Sequence, residues 1–261
     1  VFYHNIHRAI FLNRPNRFVA NIEIDGRNEV CHVKNTGRCR ELLLPGAEVF
    51  VQCVGRGSGS LAELSVAPYS RKTQYDLISV RKGQRLVNID SSAPNKVFAE
   101  WVYVSGLFEN ITMLQPEYRF GRSRFDFCVE ADGHRCLVEV KGVTLEEDGV
   151  ARFPDAPTER GVRHLRELID AEGAGYGALA VFVVQIKGVR YMEPNWTMHP
   201  TFGEAMAEAV RAGVNVLAID CHVTEDSITA ADIVEVRIGG DVAVPGFTHS
   251  PQSEAIPRRS R

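Results

Sequence analysis

Residues 124–141 read RFDFCVEADGHRCLVEVK, and the reading of this stretch decides the fold. Two short runs flank Asp132-Gly133, the dipeptide favoured in a two-residue type I′ hairpin turn. With that turn in place Ala131 pairs with His134, and the register carries outward until Asp126 faces Glu139. Carboxylates directly opposed on an antiparallel ladder sit about 4.5–5.5 Å apart at Cβ and repel. A fold tolerates that pairing when a cation lies between them. Lys141 stands two residues beyond Glu139 and projects from the same face. Two acids and a lysine on one side of a sheet form the layout of a divalent-metal site for phosphodiester chemistry. The competing reading is ordinary: Glu139 and Lys141 as solvated strand residues, with Asp126 paired to Arg124.

Working outward, the pattern on the C-terminal side alternates strands and helices. SSAP at 91–94 is a helix start, with Ser91 or Ser92 as cap and Pro94 in the first turn. The helix is expected over 95–105, with Val97, Trp101 and Val104 inward. Strands are expected at about 117–120, 124–130 and 135–141, followed by a loop over 142–151. DAPT at 155–158 starts a second helix over 159–171, with Val162, Leu165 and Leu168 inward and Gly173 closing it. ALAVFVVQ at 178–185 is almost wholly apolar, as expected of a strand covered on both faces. A third helix over 202–212 ends at Gly213; strands follow at 214–220 and 233–238. A mixed sheet flanked by helices is the economical packing.

The N-terminal side differs. Phe18, Ala20, Ile22 and Ile24 alternate with polar neighbours, Asp25-Gly26 turns the chain, and residues 29–33 return. Further strand-like runs fall at 47–53, 61–67, 74–80 and 85–89, with a flexible GRGSGS loop at 55–60. Several short strands and no long helix in 90 residues imply a small OB-like barrel. The expected division is a barrel over 1–90, a mixed-sheet domain over 91–243 and a Pro/Ser/Arg-rich disordered tail over 244–261.

Composition bounds the rest. The 261 residues are 44% hydrophobic and 24% charged, ordinary for a globular protein. No apolar run approaches the roughly 20 residues that span a bilayer, and no signal peptide is apparent, so a cytoplasmic protein without membrane attachment is expected. The six cysteines include no Cys-x-x-Cys pair and read as small buried residues in a reducing compartment. Net charge is −3, but its distribution is uneven. Residues 1–90 hold 13 Lys/Arg against 8 Asp/Glu, and the remainder 17 against 25. A basic first third points to a polyanionic partner. Within it Arg14, Arg17, Lys34, Asn35, Thr36, Arg38 and Arg40 gather around KNTGRCR, which offers cations, amides and a glycine to a phosphate backbone. Arg160 and His164 share a helix face, and Gln185 ends a buried strand, where open sheets place site residues. Glu100 could bring a further carboxylate from its helix.

The strings HVKNTGRCRELLLPG, RLVNIDSSAPNKVFAEW, EYRFGRSRFDF, LVEVKGVTL, FPDAPTERGVRHLREL and FVVQ, in this order, closely resemble the sugar fermentation stimulation protein family (SfsA), over about residues 10–238. The resemblance implies an OB-like domain joined to a PD-(D/E)xK nuclease-like domain, DNA binding, and a link to maltose-metabolism genes. Asp126 matches the motif aspartate, Glu139 the acid and Lys141 the lysine. Arg160 and His164 match the TERGxxHLREL helix, and Glu100 lies where relatives carry a helix glutamate. Lys34 stands where relatives usually have proline. The expectation is a DNA-binding protein with an Mg²⁺- or Mn²⁺-dependent nuclease-type site: Asp126 and Glu139 as metal ligands, Lys141 assisting, Glu100 a weaker candidate. The alternatives are a non-catalytic DNA-binding regulator with a vestigial site, and a nuclease acting on RNA.

Overall fold

The computed structural model describes residues 1–35, 37–54, 73–121 and 123–239. The expected GRGSGS loop, the expected strand at 61–67, Thr36 and the expected tail lie outside them.

Turn chemistry starts the first sheet. Asp25 (φ +50°) and Gly26 (φ +75°) form the two-residue link between β2 (Val19–Ile24) and β3 (Arg27–Val33), the left-handed pair that a type I′ turn requires. Ala20, Ile22 and Ile24 are buried in alternation, as the sequence pattern predicts. Phe18 departs from that row: it precedes the strand, is 46% exposed, and lies under the Arg17 guanidinium at 4.7 Å. β1 (Ile6–Asn16) pairs with β2 and with β4 (Glu48–Cys53), and β4 pairs with β5 (Tyr75–Lys82). β3 then meets β5 in parallel, through Cys31↔Tyr75 and Val33↔Leu77. That pairing closes five strands into an OB-like barrel, and β6 (Arg85–Asn88) hangs from β5.

The chain passes directly from β6 into α1 (Ala93–Trp101), with Pro94 in its first turn. The helix ends earlier than predicted. Val97 is buried, whereas Val104 is 82% exposed in the turn that follows. The second sheet has the order β15-β14-β12-β9-β8-β7. Its strands are β7 (Ile111–Phe120), β8 (Ser123–Ala131), β9 (His134–Val143), β12 (Gly177–Val184), β14 (Asn215–Val223) and β15 (Ile228–Val234). β9, β12 and β14 run parallel, so each connection must cross over a face of the sheet. The first crossover carries α2 (Glu159–Gly173) and the second α3 (Pro200–Arg211). Leu165, Leu168 and Phe202 pack one face with Phe182, while Val97 and Phe98 of α1 cover the other with Val181. Burying each such side chain stabilises by roughly 1.5–3 kcal/mol. β12 is accordingly buried along all but its first residue.

The expected loop at 142–151 is instead structured. β9 continues to Val143, and β10 (Glu146–Glu147), β11 (Val150–Phe153) and β13 (Tyr191–Pro194) form a separate three-stranded sheet. The six cysteines are free and mostly buried. Among the described residues no helix is long and apolar enough to cross a membrane.

The carboxylate–lysine site and the loop beside it

The β8–β9 hairpin has the predicted register, from Ala131↔His134 to Phe127↔Val138. Asp132 (φ +50°) and Gly133 (φ +78°) form its turn. One step further Asp126 does not continue the ladder by backbone. Its Oδ2 accepts the Val140 amide at 2.8 Å, and its Oδ1 accepts from Asn95 Nδ2 of α1 at 2.9 Å. A side-chain carboxylate thus takes over where the backbone pairing stops.

Glu139 turns towards α2. Its Oε1 accepts from Lys141 Nζ and from His164 Nδ1. Arg160 Nε donates to His164 Nε2 at 3.2 Å, so that nitrogen is the acceptor and Nδ1 carries the hydrogen given to Glu139. Arg160 and His164 share a face because they are four apart on α2. Thr158 begins that helix by accepting the Gly161 amide at Oγ1, 3.0 Å, an N-cap bond worth about 1 kcal/mol.

Burial and the adjacent Glu139 charge push the Asp126 carboxyl above the usual range, against the hydrogen bonds from Val140 and Asn95. Burial also pushes Glu139 upward, but the hydrogen bond from His164 and the charge of Lys141 outweigh it and hold Glu139 below the usual range. The two carboxyls are thus pushed in opposite directions, Asp126 upward and Glu139 downward.

Among the described residues, no three His, Cys, Asp or Glu side chains form a ready-made metal cage. A hard divalent cation does not need one, since Mg²⁺ is commonly held by one or two carboxylates and several waters. Glu139 uses only Oε1 for Lys141 and His164, and among the described residues its Oε2 has no hydrogen bond. That oxygen and the Asp126 carboxylate, whose charge opposes its neighbour, are an all-oxygen donor set that fits Mg²⁺ or Mn²⁺.

The remaining expected residues divide in two. Arg14 does not offer its fork to solvent: Nη1 donates to the carbonyls of Gly37 and Arg38, and Nη2 to those of Arg17 and Asn35. Asn35 Oδ1 accepts the Gly37 amide at 2.7 Å, and Asp155 Oδ2 accepts the Arg38 amide at 2.9 Å. A Cβ on Gly37 would lie 2.4 Å from Asp155 Oδ2, so any larger residue must displace the carboxylate that holds the Arg38 amide. Lys34 pairs with buried Asp90 at 2.7 Å. Gln185 is buried, and its Nε2 donates to Asn88 Oδ1 and to the Asp90 carbonyl. Arg14, Lys34 and Gln185 thus spend their polar groups inside the molecule. Glu100 is 58% exposed, accepts from the Val1 nitrogen at 2.7 Å, and among the described residues has no hydrogen bond to the Asp126 cluster. Arg17, Arg38, Arg40 and Arg160 are exposed.

The 34–41 loop therefore runs from the start of α1, where Lys34 meets Asp90 and its carbonyl accepts from Ser91, to Asp155 just ahead of α2. These are the two helices that hold the carboxylates. Asn95 and Asp155 were not singled out from the sequence: each gains its role from a partner distant in the chain.

A barrel of OB type joined to a mixed α/β sheet with an Asp/Glu/Lys cluster defines the class of protein. A family model described as "SfsA N-terminal OB domain" matches residues 12–89, and one described as "Sugar fermentation stimulation protein RE domain" matches residues 92–227. The chain belongs to the sugar fermentation stimulation protein family. It is 55% identical over 237 residues to a sugar fermentation stimulation protein homolog of Desulfitobacterium hafniense, covering 90% of this chain and 98% of the relative. A homolog from Ruminiclostridium cellulolyticum is 52% identical over 236 residues, covering 90% and 99%. Among solved structures, Pyrococcus furiosus SfsA in complex with Ca²⁺ superposes with a TM-score of 0.77 at 29% identity, covering 91% of this chain and 98% of that one.

Proposed function

We propose that this protein binds nucleic acid, DNA by preference, across its barrel loop and hydrolyses phosphodiesters with a divalent cation held by Asp126 and Glu139. The observation that carries the reading is the Asp126–Glu139–Lys141 convergence between α1 and α2, with one carboxylate raised by burial and by its neighbour's charge. Ca²⁺ in the Pyrococcus relative supports a cation-binding family member. Mg²⁺ or Mn²⁺ is the expected ion here, and when bound it would supply Lewis-acid stabilisation of the phosphate and a water of lowered pKa. The chain's own residues do the rest. Asn95 and the Val140 amide fix Asp126. His164, itself fixed by Arg160, fixes Glu139. Lys141 carries positive charge to the place where negative charge grows on the phosphate. Exposed Arg17, Arg38, Arg40 and Arg160 bind the backbone of the nucleic acid.

A non-catalytic DNA-binding role is favoured by a different observation: Glu139 Oε1 already has two internal donors, as a structural network would. One experiment separates the two. Purified protein is incubated with single- and double-stranded DNA and RNA, in EDTA, Mg²⁺ or Mn²⁺, beside Glu139→Ala. Metal-dependent cleavage lost in the variant is expected. Tight binding with no Glu139-dependent cleavage of any substrate would leave the non-catalytic role.

A further inference from the structure

Between the 34–41 loop and β13 lies a cleft of about 620 Å³ whose walls include Arg38, Arg40, Glu41, Asp155, Trp196 and Met198. Of these only Arg38 and Arg40 enter the reading above. Trp196 is 39% exposed, although its ring is tightly backed. A Cβ on Gly203 would meet the six-membered ring at 2.5 Å (Cζ3) and 2.6 Å (Cη2), so the indole lies directly on the α3 backbone. Gly239 lies beneath the other end, its notional Cβ 3.8 Å from Nε1. The ring is backed by the α3 main chain and remains partly exposed. On the loop side of the same cleft Arg38 and Arg40 are exposed. Glu41 Oε1 is buried and has no hydrogen-bond partner among the described residues.

These features form a matched set. A rigid aromatic face stacks on a base of any identity. Exposed arginines suit the phosphates on either side. A base inside a duplex cannot reach such a face, because its own faces are already stacked. We propose that the cleft is a nucleobase subsite, and that the substrate presents an unpaired base to Trp196: single-stranded or locally opened nucleic acid. The inference deepens the function proposed above and rests on it. Placement agrees, because Asp155 stands just before α2 and only five residues, about 8 Å of helical rise, separate Glu159 from His164. A strand stacked on Trp196 would bring a phosphate a few nucleotides away to Glu139.

The test uses binding in EDTA, so that hydrolysis does not enter. The chain has two tryptophans, and Trp101→Phe leaves Trp196 as the sole indole. A mixed-sequence 16-mer is titrated as a single strand and as a blunt duplex, in DNA and RNA forms, following indole fluorescence and, separately, anisotropy of a labelled strand. The single strand is expected to quench Trp196 and the duplex to leave it unchanged. In the otherwise native chain, Trp196→Ala should weaken single-strand binding roughly 5- to 150-fold, the range for loss of one stacked base, with duplex affinity unaltered. Trp196→Phe, which keeps an aromatic face and guards against a folding artefact, should retain most of the affinity. Single-strand binding without quenching and with equal affinity in Trp196→Ala would overturn the subsite while leaving nucleic-acid binding intact. Equal quenching by duplex would overturn the requirement for an unpaired base. Absence of binding to every nucleic acid would overturn this inference and the proposed nucleic-acid function together.

Discussion

Replacing Asp126 by Asn should stabilise the metal-free protein at neutral pH. Asp126 and Glu139 come one residue beyond the last ladder pair, Phe127↔Val138, where facing residues stand about 5 Å apart at Cβ. At an effective dielectric near 20, two like charges at that separation repel by about 3 kcal/mol. Lys141, bonded to Glu139, cancels much of this, leaving on the order of 1 kcal/mol against Asp126 in its ionised form. For a chain of this size that is about 2–4 °C in Tm. Asn keeps the shape: its oxygen can accept the Val140 amide, and its NH₂ can meet a reoriented Asn95. The pH dependence follows from the raised Asp126 pKa. A group whose folded pKa is raised stabilises fully below its unfolded pKa, and that contribution is lost as pH rises through the folded value. The advantage of Asp126→Asn should therefore appear at pH 7.5 and fade by about pH 4, near the unfolded carboxylate range. Glu139 is depressed, so its contribution is present at neutral pH and lost as pH falls, in wild type and variant alike. Differential scanning calorimetry in EDTA at both pH values measures the difference. A variant melting at or below wild type at pH 7.5, or a gain that persists unchanged to pH 4, would refute the reasoning. Adding millimolar Mg²⁺ should raise the wild-type Tm by linkage and leave the variant nearly unmoved.

Lys141→Ala should abolish cleavage while calorimetric Mg²⁺ binding and oligonucleotide affinity persist, because lysine is no Mg²⁺ ligand and its contribution is made in the transition state. Arg38→Ala with Arg40→Ala should lower the slope of log K against log salt by nearly two units on duplex DNA, measured by anisotropy. Gly37→Ala should destabilise by about 1–3 kcal/mol in urea unfolding, because its Cβ would collide with Asp155. Gln185→Ala should cost about 1 kcal/mol in the same assay, removing the bonds that Nε2 gives to Asn88 Oδ1, which keeps the Asp90 amide, and to the Asp90 carbonyl.

What the sequence revealed was local. The 124–141 hairpin was legible because Asp-Gly admits few turns and alternation then fixes the face of every residue out to Asp126. Thr158, Gly213 and the apolar run of β12 were legible for similar reasons of short range. β1 was missed because its burial is irregular, with two register breaks against β2. The small sheet was missed because β10 and β11 are too short to show a period. Val104 was misplaced because a helical repeat does not reveal that α1 stops at Trp101. Arg14, Lys34 and Gln185 looked like residues awaiting a ligand. Their partners lie elsewhere in the chain, 56 residues away for Lys34 and 97 for Gln185, and spacing carries no trace of such pairs. Asn95 was invisible for the same reason. Glu139 and Lys141 came together as expected because two residues on one strand already determine their geometry.

The loop joining the barrel to both helix starts bears on how the molecule is inherited. Family models treat the two halves as separate stretches, yet the bonds crossing between them are buried and charged. Lys82 and Arg85 neutralise Glu146, and Gln185 is bonded to Asn88 and to the Asp90 carbonyl. Either half expressed alone would carry stranded charges on a freshly exposed apolar face. Gene fusion or domain shuffling at residue 90 would therefore be penalised at once, and the two halves should travel through evolution as a single heritable unit.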